Sequence, residues 1–307
     1  MSDSAVAVVV RTKDRPEFLR RALASITSQT LSDWECVIVN DGGKPGPVDA
    51  AVAELPAEHA ARVSVIHAPA SRGRWVSANA GVLATSAPLL TLHDDDDSWH
   101  PEFLARSVDY LDSHPERNGV VSRIEIRWEH QTPSGYEVVS SEIFQPDLPA
   151  PTLSDTLLFN RFVPIAFVYR RSLHEELGLY DERLPVVGDW AFNLRVLARG
   201  PVDYLGPEPY AYWHQRVGAS GADGNSVISS KGEHAYYDAR IRDDALREYV
   251  DANGLGLVLY LTRFIDKRFV EVENGLRSEI AAMNPFRRVE RRVRRVVSER
   301  RDKRRSN

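Results

Sequence analysis

A single cysteine, Cys36, stands among 307 residues. That excludes an intrachain disulfide and suits a reducing compartment. No uncharged apolar stretch approaches the roughly 18 residues of a membrane span. The opening MSDSAVAVVVRTKD has too short an apolar run, and no basic start, for a secretory leader. The expectation is a soluble cytoplasmic protein. There is no internal repeat and no low-complexity segment ahead of the C-terminal end. Basic residues interleaved with aromatics are missing outside that end, so no nucleic-acid partner is expected. What is present is a globular balance, 43% hydrophobic and 27% charged, in a length that suits one large or two ordinary domains.

The net charge of −5 hides an asymmetry. From Arg287 to Arg305 eleven Lys/Arg face three Asp/Glu, a net of +8, so the rest carries −13. Such a tail is suited to an anionic contact. Asn284 and Pro285 read as the start of a last helix, in which Val289, Val293, Val296 and Val297 form one stripe among arginines. That helix is read as lying on an anionic membrane face, docking on a partner, or remaining a solvated tail.

The first hundred residues alternate between two periods. AVAVVV (Ala5–Val10) is a continuous valine-rich run, as in a strand buried on both faces. In RPEFLRRALASITSQT, Phe18, Leu19, Ala22, Leu23 and Ile26 recur at helical spacing, and Pro16 suits a first turn. CVIV (Cys36–Val39), VSVI (Val63–Ile66) and PLLTL (Pro88–Leu92) read as further strands. Helical stretches near Pro47–Ala61 and Val76–Thr85 separate them. Alternating strand and helix predicts an α/β fold whose mostly parallel sheet has helices on both faces.

In such sheets ligands bind beyond the carboxyl ends of the strands. RTKD (Arg11–Asp14), NDGG (Asn40–Gly43), HAPASRGR (His67–Arg74) and HDDDD (His93–Asp97) leave the four strands there. Carboxylates at i and i+2 can approach one hard cation such as Mg²⁺ or Mn²⁺, with diphosphate oxygens completing the shell. The plainer alternative is a solvated acidic turn with helix caps. Asp41 reads either as turn chemistry or as an acceptor for a nucleobase N–H.

The stretches VVVRTKDRPEFLRRALASI, ECVIVNDGG, LLTLHDDDDSWHPEFL and LGLYDERLPVVGDWAFNLRVL occur in this order from about Ala5 to Leu197. Together they resemble glycosyltransferase family 2, with the GT-A (Rossmann-like) fold. The resemblance implies transfer of a sugar from a nucleoside-diphosphate sugar (UDP, TDP or GDP) to an acceptor hydroxyl, with inversion. It implies that Asp41 contacts the nucleobase and that Asp94 or Asp95 holds ribose or a metal-bound water. It further implies that Asp96 binds Mg²⁺ or Mn²⁺, and that Asp189 is the general base, although DWAFNLRVLARG also reads as a helix capped by Asp189. Asp97 is suited to capping the next helix. The family's Pro-Thr-Tyr-Asn opening is Arg11-Thr12-Lys13-Asp14 here, which puts Thr12 and Asp14 at the donor. Its Ala-Arg-Asn element has lost its arginine, and Arg72 or Arg74 is expected to supply that charge. The Glu before the catalytic Asp is Gly188.

In YAYWHQRVGASGADGNS (Tyr210–Ser226), His214 corresponds to a histidine that in many GT-A enzymes completes the metal shell or touches the diphosphate; the alternative is an ordinary loop histidine. His93 and His100 read as structural or as supporting the site from behind. VVSRIEIRW and YEVVSSEIF flank EHQTPSG as a hairpin on the acceptor side. Trp99, Trp128 and Trp190 read individually as core before sugar platform. From about Lys231 the apolar spacing is helical. The predicted organisation is therefore a catalytic domain over 1–217, with donor binding over about 1–100 and acceptor binding over about 101–217. A loop and helical extension follow over 218–285, and a basic tail over 286–307. A nucleotidyltransferase would want glycines in RTKDRPEF, and an inactive nucleotide-sugar-binding protein would not need both Asp96 and Asp189.

Overall fold

The computed structural model describes residues 4–133, 135–216 and 231–283. The anticipated loop from Gly218 to Ser226 and the basic tail lie outside the described residues. The chain divides into two compact units, Met1–Arg240 and Ile241–Asn307.

The first unit is built on one mixed sheet. β1 (Val6–Thr12) lies between β2 (Trp34–Asn40) and β4 (Leu89–Asp94), and β3 (Val63–His67) extends β2; all these pairs are parallel. Every residue of β1 is buried. Burying each such valine on both faces of the sheet is worth about 1.5–3 kcal/mol, so the uninterrupted run forces a central position. Beyond β4 the sheet turns mixed. β8 (Phe167–Arg170) runs antiparallel to both β4 and β6 (Gly119–Thr132), β9 (Asp203–Arg216) runs parallel to β6, and β5 (Ser98–Trp99) closes antiparallel on β9. The parallel expectation thus holds for the first four strands to leave the N-terminus.

The helices follow the apolar spacing. α1 (Pro16–Thr27) starts on Pro16 and buries Phe18, Leu19, Ala22, Leu23 and Ile26. The helix anticipated near Pro47–Ala61 is two pieces, α2 (Pro45–Ala53) and α3 (Ala57–Ala60), because Pro56 has no N–H to continue the ladder and instead occupies the cap position of α3. α4 (Arg74–Ala84) packs on β1 and β2. α5 (Phe103–Ser113), α6 (Leu153–Thr156), a 3-10 turn (Pro164–Ala166), α7 (Ser172–Leu177) and α8 (Gly188–Arg199) complete the unit. The hairpin arm β7 (Gly135–Ile143) pairs with β6, and the strands run further into EHQTPSG than expected, from Glu129 opposite Val138 to Thr132 opposite Gly135.

Two further helices follow, α9 (Lys231–Asn253) and α10 (Gly256–Met283), the latter within the second unit. No helix among the described residues is long and apolar enough to cross a membrane.

Candidate active site

Strand register builds the site. Thr12 pairs with Asn40, Asn40 with His67, and Arg11 with Asp94, so the carboxyl ends of four strands meet in one row. Above that row lies a cleft of about 620 Å³ whose lining includes Arg11, Thr12, Asp14, Asp41, Arg74, Asp94 and Asp96. Cation and carboxylate therefore face each other across it.

The four aspartates have four different surroundings. Asp94 forms an ion pair with Arg11, its neighbour across the strand pair. Asp95 is fully buried, accepts a hydrogen bond from Thr12 Oγ1 at 2.7 Å and pairs with Arg15. Burial pushes its carboxyl up to about 7 against the opposing charge of Arg15. Asp96 is also pushed up by burial, but Arg15 and Arg216 beside it outweigh this and hold it below the usual carboxylate range. Asp97 accepts the backbone N–H of His214 at 3.0 Å, and burial next to the charges of Asp96 and Asp94 raises its carboxyl well up. It caps no helix: the cap position of α5 is Glu102. The cluster is thus not a solvated turn.

Arginines missed by the sequence reading make this possible. Arg21 bonds the Asp96 carbonyl and pairs with Glu129 at 2.7 Å. Arg216, almost wholly buried, arrives on β9 because Glu129 and Arg216 are register partners. Nothing in RTKD or YWHQR announces these pairs, because the partners are 75 to 120 residues apart in the chain. Only the pairing of β6 with β9 and of β1 with β4 brings them together.

His214 does not face the cleft. Its Nδ1 lies 2.7 Å from Glu129 Oε1 and its Nε2 2.7 Å from Ser98 Oγ. An Nδ1–H tautomer satisfies both, donating to Glu129 and accepting from Ser98, and burial lowers the ring's basicity. Among the described residues no group of three or more His, Cys, Asp or Glu is arranged to hold a metal ion. Asp94 and Asp96 are the carboxylates of the cluster that line the cleft. Their all-oxygen donor set fits an open site for Mg²⁺ or Mn²⁺ that water and substrate oxygens complete.

Asp41 holds the loop after β3. Its carboxylate accepts from Ser71 Oγ (2.7 Å), Arg72 N (2.8 Å) and Gly73 N (3.1 Å). Burial raises its carboxyl, and these donors outweigh that and hold it low. Gly42, at φ +74°, lets this loop approach: a Cβ there would stand 2.2 Å from Ser71 N. Arg74 lines the cleft, and Arg72, exposed like it, does not. Asp14 also lines it, at φ +54°, and accepts from Lys44 N at 3.0 Å.

Asp189 lies in the first turn of α8, not at its cap. The cap position is Val187, in the left-handed region at φ +55°, and it makes no side-chain cap bond. Asn160 Nδ2 donates to Asp189 Oδ2 at 2.8 Å. Burial raises the Asp189 carboxyl, opposed by the Trp190 N–H and by Arg74 and Arg11, which ties it electrostatically to the cleft. Gly188 has a steric reason. A Cβ there would stand 2.6 Å from Trp75 Nε1, and Trp75 is buried with its ring stacked 5.1 Å from Tyr180. The indole fills the space that a glutamate at this position would need.

A family model for glycosyl transferase family 2 matches residues 7–178, more than half of the chain. The chain belongs to glycosyltransferase family 2. Among curated relatives, it is 32% identical over 194 residues to the uncharacterized glycosyltransferase YwdF of Bacillus subtilis, covering 62% of this chain and 67% of that protein. It is 29% identical over 197 residues to a PGL/p-HBAD biosynthesis glycosyltransferase of Mycobacterium bovis, covering 64% and 70%. Among solved structures, S. aureus TarS 1–349 in complex with UDP-GlcNAc matches with a TM-score of 0.56 at 17% identity, over 82% of this chain and 75% of that one. That likeness carries the fold.

As a family 2 glycosyltransferase the chain has the GT-A-like fold that the sequence anticipated, on a sheet that is mixed where a mostly parallel one was expected. Membership sets it among glycosyl-transferring enzymes rather than nucleotidyltransferases. The tryptophans follow the core reading where burial is complete. Trp99 donates to Ile165 O at 2.6 Å and Trp190 to Thr156 O at 2.7 Å, while Trp128 is half-buried beside Glu142. His93 is fully buried, its ring 4.3 Å from Trp99 and its pKa lowered by burial to about 4, as a structural residue should be.

Proposed function

We propose that this glycosyltransferase moves a sugar from a UDP, TDP or GDP sugar to an acceptor hydroxyl in one inverting displacement. The observation that carries the reading is the meeting, at one cleft, of Arg11, Arg15 and Arg74 with Asp94 and Asp96, and the electrostatic tie of Asp189 to Arg11 and Arg74. TarS, which shares the fold, was solved with UDP and with UDP-GlcNAc, which supports a nucleotide-sugar donor.

The chemistry follows from charge. Negative charge grows on the leaving diphosphate as the glycosidic bond breaks. Arg11, Arg15 and Arg74 are held where they stabilise it without reorganising. Asp94 and Asp96 would hold Mg²⁺ or Mn²⁺, which supplies further positive charge to the diphosphate. Thr12 and Asp14 flank the donor, and Asp41 keeps the Ser71–Gly73 loop beside the nucleobase. Asp189 takes the acceptor's proton. Its raised pKa makes it a stronger base than an ordinary aspartate, and Asn160 fixes the orientation of its carboxylate. His214 acts behind the site, holding Glu129 and through it Arg21 and Arg216.

Release of nucleoside diphosphate from a panel of UDP, TDP and GDP sugars, with Mn²⁺ and with excess EDTA, tests this. Release and transfer should occur with at least one donor and fall on chelation. Asp189→Asn should lower transfer at least 100-fold while donor affinity is kept. No release from any donor overturns the reading, and unchanged transfer in Asp189→Asn overturns the base.

A further inference from the structure

The segment Leu157–Phe159 carries three consecutive large apolar side chains, exposed by 49%, 67% and 49%. The chain on either side is pinned. Trp190 Nε1 donates to Thr156 O at 2.7 Å. Asn193 Nδ2 donates to Asn160 Oδ1 at 3.0 Å and to Phe162 O at 3.1 Å, and Phe162 is fully buried. Arg161 donates to Asp155 O and to Gln145 Oε1, both at 2.8 Å, and lays its guanidinium 3.7 Å from the centre of the Phe159 ring. Both anchors lead to α8, the helix that carries Asp189. A segment held this firmly exposes its apolar side chains by construction, and a contiguous exposed apolar patch marks an interaction site.

Its neighbour decides what kind. Asn160, the residue after Phe159, donates to Asp189 at 2.8 Å. With Asp189 as the base, the acceptor hydroxyl comes to a carboxylate that the segment's next residue touches, which sets Leu157–Phe159 on the acceptor's side of that base. We propose that Leu157, Leu158 and Phe159 form a ledge for an apolar alkyl or aryl group joined to the acceptor hydroxyl or its sugar, so that the acceptor is amphiphilic. This rests on the glycosyl-transfer reading with Asp189 as base. The ledge selects the acceptor. None of its residues lines the donor cleft, and donor chemistry without an acceptor does not involve it.

The test uses the full chain and whichever donor releases nucleoside diphosphate. Methyl and octyl glycosides of the same sugars, and phenol against 4-octylphenol, are added below their micelle concentrations. The concentration giving half the maximal change in release rate is read. This readout works whether the compound accepts sugar or merely occupies the site. The octyl compounds should act at concentrations at least tenfold lower than their short partners. In a Leu157→Ser, Leu158→Ser, Phe159→Ser variant that advantage should shrink to less than threefold, with release in the absence of acceptor unchanged. Leu158→Ser alone, at the most exposed position, serves if the triple variant fails to fold. The ledge is overturned if short and octyl compounds act equally, or if the advantage survives the substitutions. It is also overturned if sedimentation shows the variant breaking an oligomer while the octyl preference stays, because the patch is then a subunit contact. Absence of release from every donor fails the underlying reading instead, and a donor that is hydrolysed without chain-length preference fails only the ledge.

Discussion

Asp189 is tuned by neighbours of opposite effect. Burial raises its carboxyl, and Arg74 and Arg11 pull it back. As the proposed base, Asp189 works as the carboxylate, so the turnover rate should fall as pH drops through the Asp189 pKa. Because that pKa is raised, the acid limb should lie above the roughly 3.9 of a free aspartate. Arg74→Ala removes one of the opposing charges and should move the limb to higher pH still. A profile of kcat against pH at saturating donor checks both, and an unmoved limb in Arg74→Ala means the guanidinium does not act on the base. One residue earlier, Gly188→Ala drives a methyl into Trp75, which cannot yield because Tyr180 backs one ring face and the Arg11 guanidinium lies 4.9 Å from the ring centre. Overpacking of this kind costs about 1–3 kcal/mol. The melting temperature should fall by several degrees, and transfer should fall with it because Asp189 shifts. Adding Trp75→Phe, which removes the clashing ring atoms, should restore part of both.

At the scale of elements, α7 and α8 are joined by an aromatic cage whose centre is polar. His174 stacks 4.8 Å from Phe192, accepts or donates at Tyr169 Oη over 2.9 Å, and has its pKa lowered to about 4, first by burial. An unfolded chain protonates this histidine near 6.5. Between those values the unfolded state binds a proton that the folded state refuses. Stability from this group is therefore complete above about 6.5 and is lost as pH falls toward 4, by about 1.4 kcal/mol per pH unit at most. His174→Gln should flatten the dependence by that amount, measured as the difference between urea midpoints at pH 6.5 and 4.5. Other buried groups titrate in both proteins and cancel from the comparison. An identical dependence in the variant would show that His174 is protonated in the folded state.

For the whole molecule, the acidic body and the basic end of the sequence make one electrostatic proposition. Arg287–Arg305, net +8, is proposed to meet an anionic membrane face and so bring the site to its acceptor. Each basic residue near such a surface is worth about 1 kcal/mol, screened by salt. Removing residues 284–307 should leave nucleoside-diphosphate release intact, since the strand-end acids lie in the other unit. It should abolish sedimentation with anionic vesicles at low salt, and the full chain should release from them at high salt. A full chain that ignores such vesicles ends the proposal, and an oligomer halved by the truncation makes the segment an assembly element.

The strands, the helices and the strand-end row of acids were legible because they depend on local periodicity. An apolar run such as AVAVVV can satisfy itself only inside a sheet, and α/β connectivity then sends RTKD, NDGG and HDDDD to one edge. The family, too, was carried by short ordered motifs. What each acid does was not legible, because it depends on partners that are neighbours only after strands pair. The same Asp-Asp-Asp-Asp run yields one carboxyl raised by burial to about 7, despite Thr12 and Arg15, and another held low because Arg15 and Arg216 outweigh the same burial, and all of these partners come from other strands and loops. Asp189 also reads as a cap, but Val187 holds that position, and His214 reads as a metal ligand or a loop histidine, but Glu129 and Ser98 take both ring nitrogens. Sequence by itself determined the four parallel strands, the edge where their polar ends meet and the class of chemistry, since those follow from residue type and spacing along one chain. Tertiary structure alone decided which charges are neutralised, which side chains face the cleft and why position 188 must be glycine, since charge and volume act through space and take no account of distance along the chain.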